Sequence, residues 1–367
     1  MAGSFSGSGA AEMTNAADQR QNPPKHRLTR CVSWEDKYQD GVLRLFPDVG
    51  HKRHLWDWQF QSNPFSLPFS PVVMVDDQDQ VVGFNGVMPV MAEDAGVQRP
   101  VLWSCDFFLA EAWRGKGLGS DIKHELHQKS PIVMAFGISD RASDVLQHLG
   151  WIPDTSVESY RMIRRFSGWR TWVFMALQLA NRVVRGSWLS MKHRAPEAEM
   201  RLSVHSSLPG KDLVDKLWRT CAGGYERIVV RNHQYLDWRY QKHPLGRYAF
   251  VRAEIADKLA GILVVRTNGE HLRIVDYLGP SSDYQLKKAM IDFVVGRWRH
   301  VTQISAVTSD GQFGDCLCAA GFIRVRGKPR FYRYETELSD RKWFIMAGDS
   351  DGEFLQAGSD FCERGLL

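Results

Sequence analysis

Three glycines and two cations lie close together in the stretch Trp113-Arg114-Gly115-Lys116-Gly117-Leu118-Gly119-Ser120. The aromatic run at residues 104–109 before it is typical of a buried strand. After it, Ile122 and Leu126 have helical spacing, which predicts a helix that begins near Ser120. In such a strand, glycine loop and helix, unpaired backbone N–H groups and the positive end of the helix dipole converge on one point. The stretch therefore predicts an anion-binding site, where glycine lets the backbone approach the anion closely.

Two common phosphate-binding patterns do not fit this loop. The dinucleotide pattern G-x-G-x-x-G fails because Ile122 stands three residues after Gly119, and the G-K-[ST] ending of a P-loop is absent from the sequence here. The loop instead resembles the acyl-CoA signature R/Q-x-x-G-x-G/A of the GNAT superfamily of N-acyltransferases, which Arg114, Gly117 and Gly119 match.

Segments on both sides of the loop extend this resemblance. Residues 106–113 are similar to the central strand and the following bulge of the family. Downstream, Ser139-Asp140-Arg141-Ala142 and Leu149-Gly150-Trp151 stand where the family usually has Asn-x-x-Ala and Gly-Phe. Three elements in the right order and spacing are more specific than the loop alone.

The resemblance implies a cofactor, either acetyl-CoA or another acyl-CoA. In the family, main-chain N–H groups of the loop bind the pyrophosphate, and the splayed strand before the loop holds the pantetheine and polarises the thioester carbonyl. The cofactor contacts that the resemblance implies are Phe108, Leu109, Arg114, Gly115, Lys116, Gly117, Leu118, Gly119, Ser120 and Ser139.

Length and composition favour a globular protein with two domains. The chain has 367 residues, of which 44% are apolar and 24% are charged. A net charge of +5 does not indicate a nucleic-acid partner, although it allows a local basic site for a polyanionic cofactor. The six cysteines have no metal-ligand spacing, no apolar run reaches membrane-spanning length, and the N-terminus lacks a secretory signal core. We therefore expect a cytoplasmic protein without a metal site.

The order of segments around the loop recurs in the second half of the chain. Trp58 matches Trp238 at an offset of 180 positions, and Asp106 matches Asp276 at an offset of 170. Falling offsets with retained order indicate a duplicated module. In place of the cofactor loop the second copy has residues 279–283, which lack the glycine-rich turn and its cations. We therefore expect one cofactor site, in the first module.

These observations predict an α/β fold of two tandem GNAT-like modules, each a mixed, mostly antiparallel sheet flanked by helices. Between the modules, residues 168–194 have apolar side chains at helical spacing and cations mostly on the other side. This helix either braces the modules or lies in a membrane interface. The expected divisions are a disordered N-terminus (1–28), a catalytic module (29–166), an amphipathic basic linker helix (167–196), a degenerate module (197–336) and a C-terminal tail (337–367) whose Trp343 and Phe344 cover core.

Proton transfer needs a base for the amine and an acid for the leaving thiolate. The leading base is Asp106, on the strand before the loop; the alternative is a structural role, which the matching Asp276 favours. The tyrosine that often serves as the acid in the family is replaced by Leu146 in the first module and Leu317 in the second. Water, a residue such as Tyr160, or the second module would then supply the proton.

The predicted activity is N-acyl transfer, in first place N-acetyl transfer, from acyl-CoA to a small-molecule amine such as an amino sugar or nucleotide sugar. We expect the acceptor near the junction of the modules. Trp56, Trp58 and Phe60 either line its pocket or, as their repetition in the second copy favours, pack in the core.

Two alternative functions stay open. Leu146 motivates a non-catalytic acyl-CoA-binding regulator. The 168–194 helix motivates an acyltransferase of polysaccharide or envelope synthesis that lies at the inner face of the membrane. The sequence does not indicate an oligomeric state.

Overall fold

A computed structural model describes residues 29–46, 49–65, 71–138, 140–165, 169–192, 199–325 and 331–349. The predicted disorder at residues 1–28 and the predicted cofactor contact of Ser139 lie outside these residues. Within them the chain forms two mixed, mostly antiparallel sheets flanked by helices, which confirms the predicted α/β fold class.

The strands follow the period-two and continuous apolar runs of the sequence, and the central strands of each sheet are buried on both faces over much of their length. In chain order the strands are β1 (Thr29–Val32), β2 (Val72–Asp76), β3 (Val81–Asp94), β4 (Val97–Leu109), β5 (Ile132–Phe136), β6 (Ile152–Asp154), β7 (Glu158–Ile163), β8 (Met200–His205), β9 (Arg227–Val229), β10 (Tyr248–Ile255), β11 (Lys258–Asn268), β12 (His271–Leu278), β13 (Gln303–Thr308), β14 (Ile323–Val325), β15 (Phe331–Glu335) and β16 (Trp343–Phe344).

The helices cover the faces of the sheets, with the long fifth helix between the two halves of the chain. They are α1 (Gln39–Leu43), α2 (Val49–Trp56), α3 (Leu118–Lys129), α4 (Asp140–His148), α5 (Trp169–Lys192), α6 (Lys211–Cys221), α7 (His233–Leu236), α8 (Tyr284–Arg297) and α9 (Gly311–Ala320). Both α2 and α7 continue directly into a π-helical turn, Asp57–Gln61 and Asp237–Gln241 respectively.

The two sheets exchange one strand each. The main path of the first sheet has the order β1-β2-β3-β4-β5-β15-β6, and the second sheet has the order β14-β7-β13-β12-β11-β10-β8. Strand β7 therefore leaves the first half for the second sheet, and β15 returns from the second half to the first sheet. The exchanged strands occupy matching positions. In the first sheet Tyr332 of β15 pairs with Ala135 of β5, and in the second sheet Tyr160 of β7 pairs with Ala306 of β13. The expected boundaries at residues 166 and 197 do not separate the two sheets, because each sheet contains strands from both sides of them.

The two π-helical turns meet at the junction of the modules. The indole rings of Trp58 and Trp238 stack with centroids 5.3 Å apart and planes 20° apart. Each indole N–H donates to the backbone carbonyl of the other residue, at 2.7 and 3.0 Å. A π-helical turn widens the helix, so that Trp58 and the next residue, Gln59, are both buried. This reciprocal contact confirms that Trp58 packs in the core.

A buried ion-pair network also holds the modules together. The guanidinium group of Arg227, in β9, lies 3.1 Å from Asp94 of β3 and 2.9 Å from Glu335 of the exchanged strand β15. Strand β9 pairs with β3 and β16 pairs with β9, so the second half of the chain adds two further strands to the first sheet. All three side chains are at most 4% exposed, and loss of one partner would leave a buried charge unpaired.

Candidate functional site

The glycine-rich loop lies between the end of β4 and the start of α3, as the sequence predicts. Gly115 has a φ of +76° and Gly117 a φ of +80°, in the left-handed region that glycine adopts without strain. Gly117 is the N-cap residue of α3, and no side chain caps the helix there. The Ser120 N–H donates to the Gly117 carbonyl at 3.0 Å. The N–H groups of Leu118 and Gly119, in the first turn of α3, are available to a ligand because such groups have no partner within the helix.

The cations of the loop surround this helix end. Arg114 and Lys116 are exposed, and Arg114 Nε donates to the Leu109 carbonyl at 2.9 Å, which holds its guanidinium group at the end of β4. A Cβ atom at Gly119 would lie 3.0 Å from Phe107 Cζ, so glycine allows α3 to pack closely on the strand. Free N–H groups, the helix dipole and two cations suit a doubly charged anion such as a pyrophosphate.

An opening in the sheet begins beside the loop. Strand β4 pairs with β5 only at Leu102–Val133 and Trp103–Met134, although β4 continues to Leu109. In the described part of the chain, residues 104–109 of β4 pair with β3 but not with β5. The predicted contacts Phe108 and Leu109 lie along this opening, and the backbone edge of β4 that faces away from β3 is left for an extended ligand.

A β-bulge deforms β4 at the start of the opening. Two residues, Asp106 and Phe107, lie opposite Asn85 of β3, and Asp106 has a φ of +50°. Such a φ is uncommon for a residue with a side chain, although Asp tolerates it better than most. The bulge places the buried Asp106 carboxylate against α2, where Lys52 forms an ion pair with Oδ2 and Gln59 donates to the same atom at 2.8 Å.

Comparisons with solved structures agree with this arrangement. The chain superposes on a probable N-acyltransferase of Enterococcus faecalis with a TM-score of 0.55 at 13% identity, covering 83% of this chain and 71% of that one. It superposes on a GCN5-related N-acetyltransferase of Anabaena variabilis with a TM-score of 0.55 at 12% identity, covering 83% and 72%. This chain has the GNAT fold.

A third solved structure covers more of both chains. Saccharomyces cerevisiae N-myristoyltransferase with bound myristoyl-CoA superposes with a TM-score of 0.50 at 12% identity, covering 85% of this chain and 80% of that one. No family model and no curated protein sequence matches the chain. At these low identities the likeness establishes the GNAT fold and leaves the reaction to be argued from the residues.

The surroundings of Asp106 favour a structural role for this predicted base. In the second GNAT module, Asp276 accepts from Arg231 Nε at 2.9 Å and from the Tyr240 hydroxyl at 2.7 Å. Burial raises the pKa of Tyr240 well above its ordinary value, so this hydroxyl stays a neutral donor. Both modules thus hold the carboxylate beside the bulge with a buried cation. As a base, Asp106 would have to act through Oδ1, because its Oδ2 is already engaged.

Sequence reasoning missed a buried lysine under the opening. Lys123 Nζ, on α3, donates to Asn85 Oδ1 at 2.7 Å and to Ser104 Oγ at 2.8 Å, and lies 4.7 Å from the centre of the Phe107 ring. These partners belong to the bulge region of β3 and β4, so Lys123 fixes its geometry and adds positive charge there. The signal in the sequence was a lysine next to Ile122 on the apolar face of the predicted helix.

The structure does not bring Tyr160, the predicted acid, to the first module's opening. Strand β7 carries Tyr160 into the second sheet, where the hydroxyl donates to Glu158 at 2.7 Å. Burial and this hydrogen bond raise the pKa of Tyr160 well above its ordinary value. The exchanged strand β15 instead brings Tyr332 to the first sheet, with its hydroxyl 2.6 Å from Ser143 Oγ of α4. Sequence order alone could not reveal this exchange.

Leu146 lies one helical turn after Ser143 on the same face of α4. Its side chain is buried in the core between the first sheet and its helices, so the position where the family usually has the acid carries no proton donor. The Tyr332 hydroxyl is therefore near the helix face that carries the acid in the family.

The N-terminal end of α8 corresponds in the second module to that of α3 in the first, but side chains occupy it. Asp283 caps α8 by accepting a hydrogen bond from the Leu286 N–H at 2.9 Å. The buried Lys287 bridges the first turns of α8 and α9, since its Nζ bonds to the Ser281 carbonyl and to the Asp310 carboxylate. A carboxylate therefore occupies the anion-binding end of α8, whereas a glycine stands at that of α3.

The C-terminal segment fills the second opening. Strands β12 and β13 pair only as far as Ile274–Ala306, and residues 343–349 lie across the region where they diverge. The Ser309 N–H donates to the Ile345 carbonyl at 3.0 Å, and Asp349 lies 2.7 Å from Arg231. The side chains of Trp343 and Phe344 are buried, which confirms that they cover core.

A cleft of about 410 Å³ lies at the junction of the modules. Each residue that lines it from the first module has a counterpart 180 positions later, so the cleft has an approximate two-fold axis through the stacked tryptophans. Its lining residues are His54, Asp57, Trp58, Ser62, Pro64, Gln234, Asp237, Trp238, Lys242 and Pro244.

The Lys52–Asp106 pair should contribute mainly to stability. Asp106→Asn keeps the shape and tolerates the left-handed backbone but leaves Lys52 buried without a charged partner, so we expect a loss of about 3 kcal/mol in urea unfolding. The double variant Lys52→Gln/Asp106→Asn should recover at least half of this loss. Asp40→Asn, which breaks the exposed Arg53–Asp40 pair, is the control and should change stability by less than about 0.5 kcal/mol. Full stability of Asp106→Asn together with lost acyl transfer would instead assign Asp106 the role of the base.

Proposed function

We propose that this chain is an N-acyltransferase that moves an acyl group, in first place the acetyl group, from acyl-CoA to the amine of a small molecule. The observation that carries the proposal is the uncapped end of α3 beside an opening in the sheet, in a GNAT fold. The helix end and the loop cations bind the pyrophosphate. The free edge of β4, along Phe108 and Leu109, binds the pantetheine and polarises the thioester carbonyl.

We place the cofactor in the first module only. In the second module Asp283 caps the helix, and its negative charge would repel a pyrophosphate. Residues 343–349 occupy the place where a pantetheine arm would lie. The second module then serves to complete the first sheet and to position its exchanged strand.

The reaction forms a bond between the amine nitrogen and the carbonyl carbon and breaks the bond from that carbon to sulfur. The amine loses a proton and the thiolate gains one. We assign the Tyr332 hydroxyl as the donor to the thiolate, because it lies in hydrogen-bond contact with Ser143 on α4, one turn before Leu146. Gln147 Nε2 donates to Ser143 Oγ at 3.1 Å, which orients this pair. The sequence left three sources of this proton open: water, a residue such as Tyr160, or the second module. Tyr332 corresponds to the third, since it comes from the second half of the chain.

An aromatic cluster behind the bulge supports a short acyl group. The ring of Phe108 lies 4.6 Å from that of Phe46, and Phe84 lies 6.2 Å from Phe46 and 6.0 Å from Phe60. A close-packed aromatic cluster leaves little room for a long acyl chain.

The acceptor in this proposal is a small amine, such as an amino sugar or nucleotide sugar, near the junction of the modules. The cleft there carries Asp57 among its lining residues, and a carboxylate suits a cationic amine. The matching Asp237 is already paired with Lys242 at 2.6 Å.

A regulator that binds acyl-CoA without turnover is the second candidate. It is favoured by the buried Leu146 at the usual position of the acid and by the engagement of Asp106 with Lys52. The two candidates share the cofactor site and differ in whether thiol is released.

Calorimetric titration with acetyl-CoA tests the cofactor site. We expect one molecule bound per chain and at least tenfold weaker binding for Gly117→Ala, because alanine disfavours the left-handed backbone that the bound loop requires. Gly96→Ala is the matched control, since Gly96 has a φ of +85° and open space around it but lies outside the site. Two bound molecules per chain, or equal effects of the two variants, would contradict the proposal.

Release of the CoA thiol with a panel of amino sugars, nucleotide sugars and other small amines tests turnover. Tyr332→Phe should lower kcat by about tenfold to a hundredfold, because the thiolate loses its proton donor, while acetyl-CoA affinity stays the same. Tyr334→Phe, a tyrosine on the same strand that stacks on His127, is the control and should retain activity. Tight binding without thiol release from any amine would favour the regulator instead.

A further inference from the structure

Helix α5 is held to the protein by polar side chains and presents large apolar side chains to the outside. Gln178 accepts from the Ile163 N–H at 2.8 Å and donates to the Ile163 carbonyl at 3.0 Å. Asn181 donates to the Phe322 carbonyl at 3.0 Å, and Arg185 forms an ion pair with Asp315 at 2.8 Å. The helix is therefore held on α9 and β7 by polar contacts. Phe174 and Met175 are half-buried, but most of its large apolar side chains between residues 172 and 184 are exposed.

The outward face is a continuous apolar surface. Of the ten exposed large apolar side chains in the described residues, six lie on α5, so they form a cluster and are not scattered singly. They recur at helical spacing, with Ala176 and Ala180 between them. The six, with their exposed fractions, are Trp172 (66%), Val173 (51%), Leu177 (50%), Leu179 (64%), Val183 (57%) and Val184 (68%).

The charged residues in the chain segment that carries this face are all basic. From residue 159 to residue 196 the sequence has no Asp or Glu and eight Lys or Arg residues. A second copy of this chain would place the same cations opposite one another, and like charges at close range repel. A surface that offers both apolar volume and negative charge fits the face better, and an anionic lipid bilayer has both.

The helix does not have the character of a membrane span. No helix in the described residues is both long and apolar enough to cross a bilayer. With 24 residues, α5 is about 36 Å long, and its polar side is fastened to the protein along several turns. It can therefore contact a bilayer only with its outward face, with the helix axis parallel to the membrane plane.

We propose that α5 lies in the plane of an anionic membrane surface, with its outward apolar face (residues 172–184) among the upper acyl chains and the surrounding cations near the lipid phosphates. This binding needs no acyl-CoA, so it stands apart from the proposed activity. An amine acceptor carried by a lipid would then be presented close to the enzyme.

Co-sedimentation of the full chain with vesicles tests the proposal. We expect binding to phosphatidylcholine vesicles that contain phosphatidylglycerol, weaker binding to pure phosphatidylcholine, and weakening by salt. The variant Leu179→Ser/Val183→Ser/Val184→Ser should bind the anionic vesicles at least about tenfold more weakly, because it removes apolar volume from the outward face.

The matched control is Leu338→Ser/Val97→Ser/Val145→Ser, which removes the same residue types from exposed positions away from α5 and should bind like the wild type. Thermal unfolding of both variants shows whether each is folded. Equal vesicle binding by the wild type and the α5 variant would overturn the proposal. So would a wild type that ignores vesicles but forms a dimer that the α5 variant dissociates, because the face would then join two copies.

Discussion

The N–H groups at the start of α3 are the constraint on which the proposed site depends. A helix end in a folded protein normally finds a capping side chain, and here Gly117 supplies none. The loop keeps this end open at the surface, with Arg114 and Lys116 beside it, so an anion can replace water as the partner of these N–H groups. In the second module the same end is closed by Asp283. The two copies of one supersecondary unit thus differ at this capping position, and on this difference we base the proposal that only the first copy binds a pyrophosphate.

Strand exchange makes the two modules interdependent. Because β15 lies between β5 and β6, the first sheet is complete only when the last part of the chain has joined it. The same exchange brings Tyr332 to Ser143 and removes Tyr160 to the other sheet. A duplicated module that binds no cofactor could accumulate substitutions without loss of activity. The strand exchange keeps this module necessary, because its strand β15 is part of the first sheet.

The parts that local sequence determines were predictable. The loop could be recognised because glycine conformations and helix-start chemistry are set by neighbouring residues. The correspondence of Trp58 with Trp238 followed from their offset of 180 positions, but the contact between the two rings did not. Tyr160 was assigned to the first module, but its strand β7 lies in the second sheet. Chain order does not reveal which sheet a short strand will join. The pairing of Lys52 with Asp106 also joins residues far apart in the chain. The linker helix was recognised as amphipathic, but its orientation depends on hydrogen bonds from Gln178 and Asn181 to distant carbonyls.

The most direct measurement of the central claim is amide hydrogen exchange of the full chain with and without acetyl-CoA. If the open end of α3 holds the pyrophosphate, peptides that span residues 114–121 become protected when the cofactor is added, because its phosphates accept hydrogen bonds from those N–H groups. Peptides that span residues 280–287 should exchange at the same rate in both states, since Asp283 already caps that helix. Protection in the second segment, or in neither, would contradict the account.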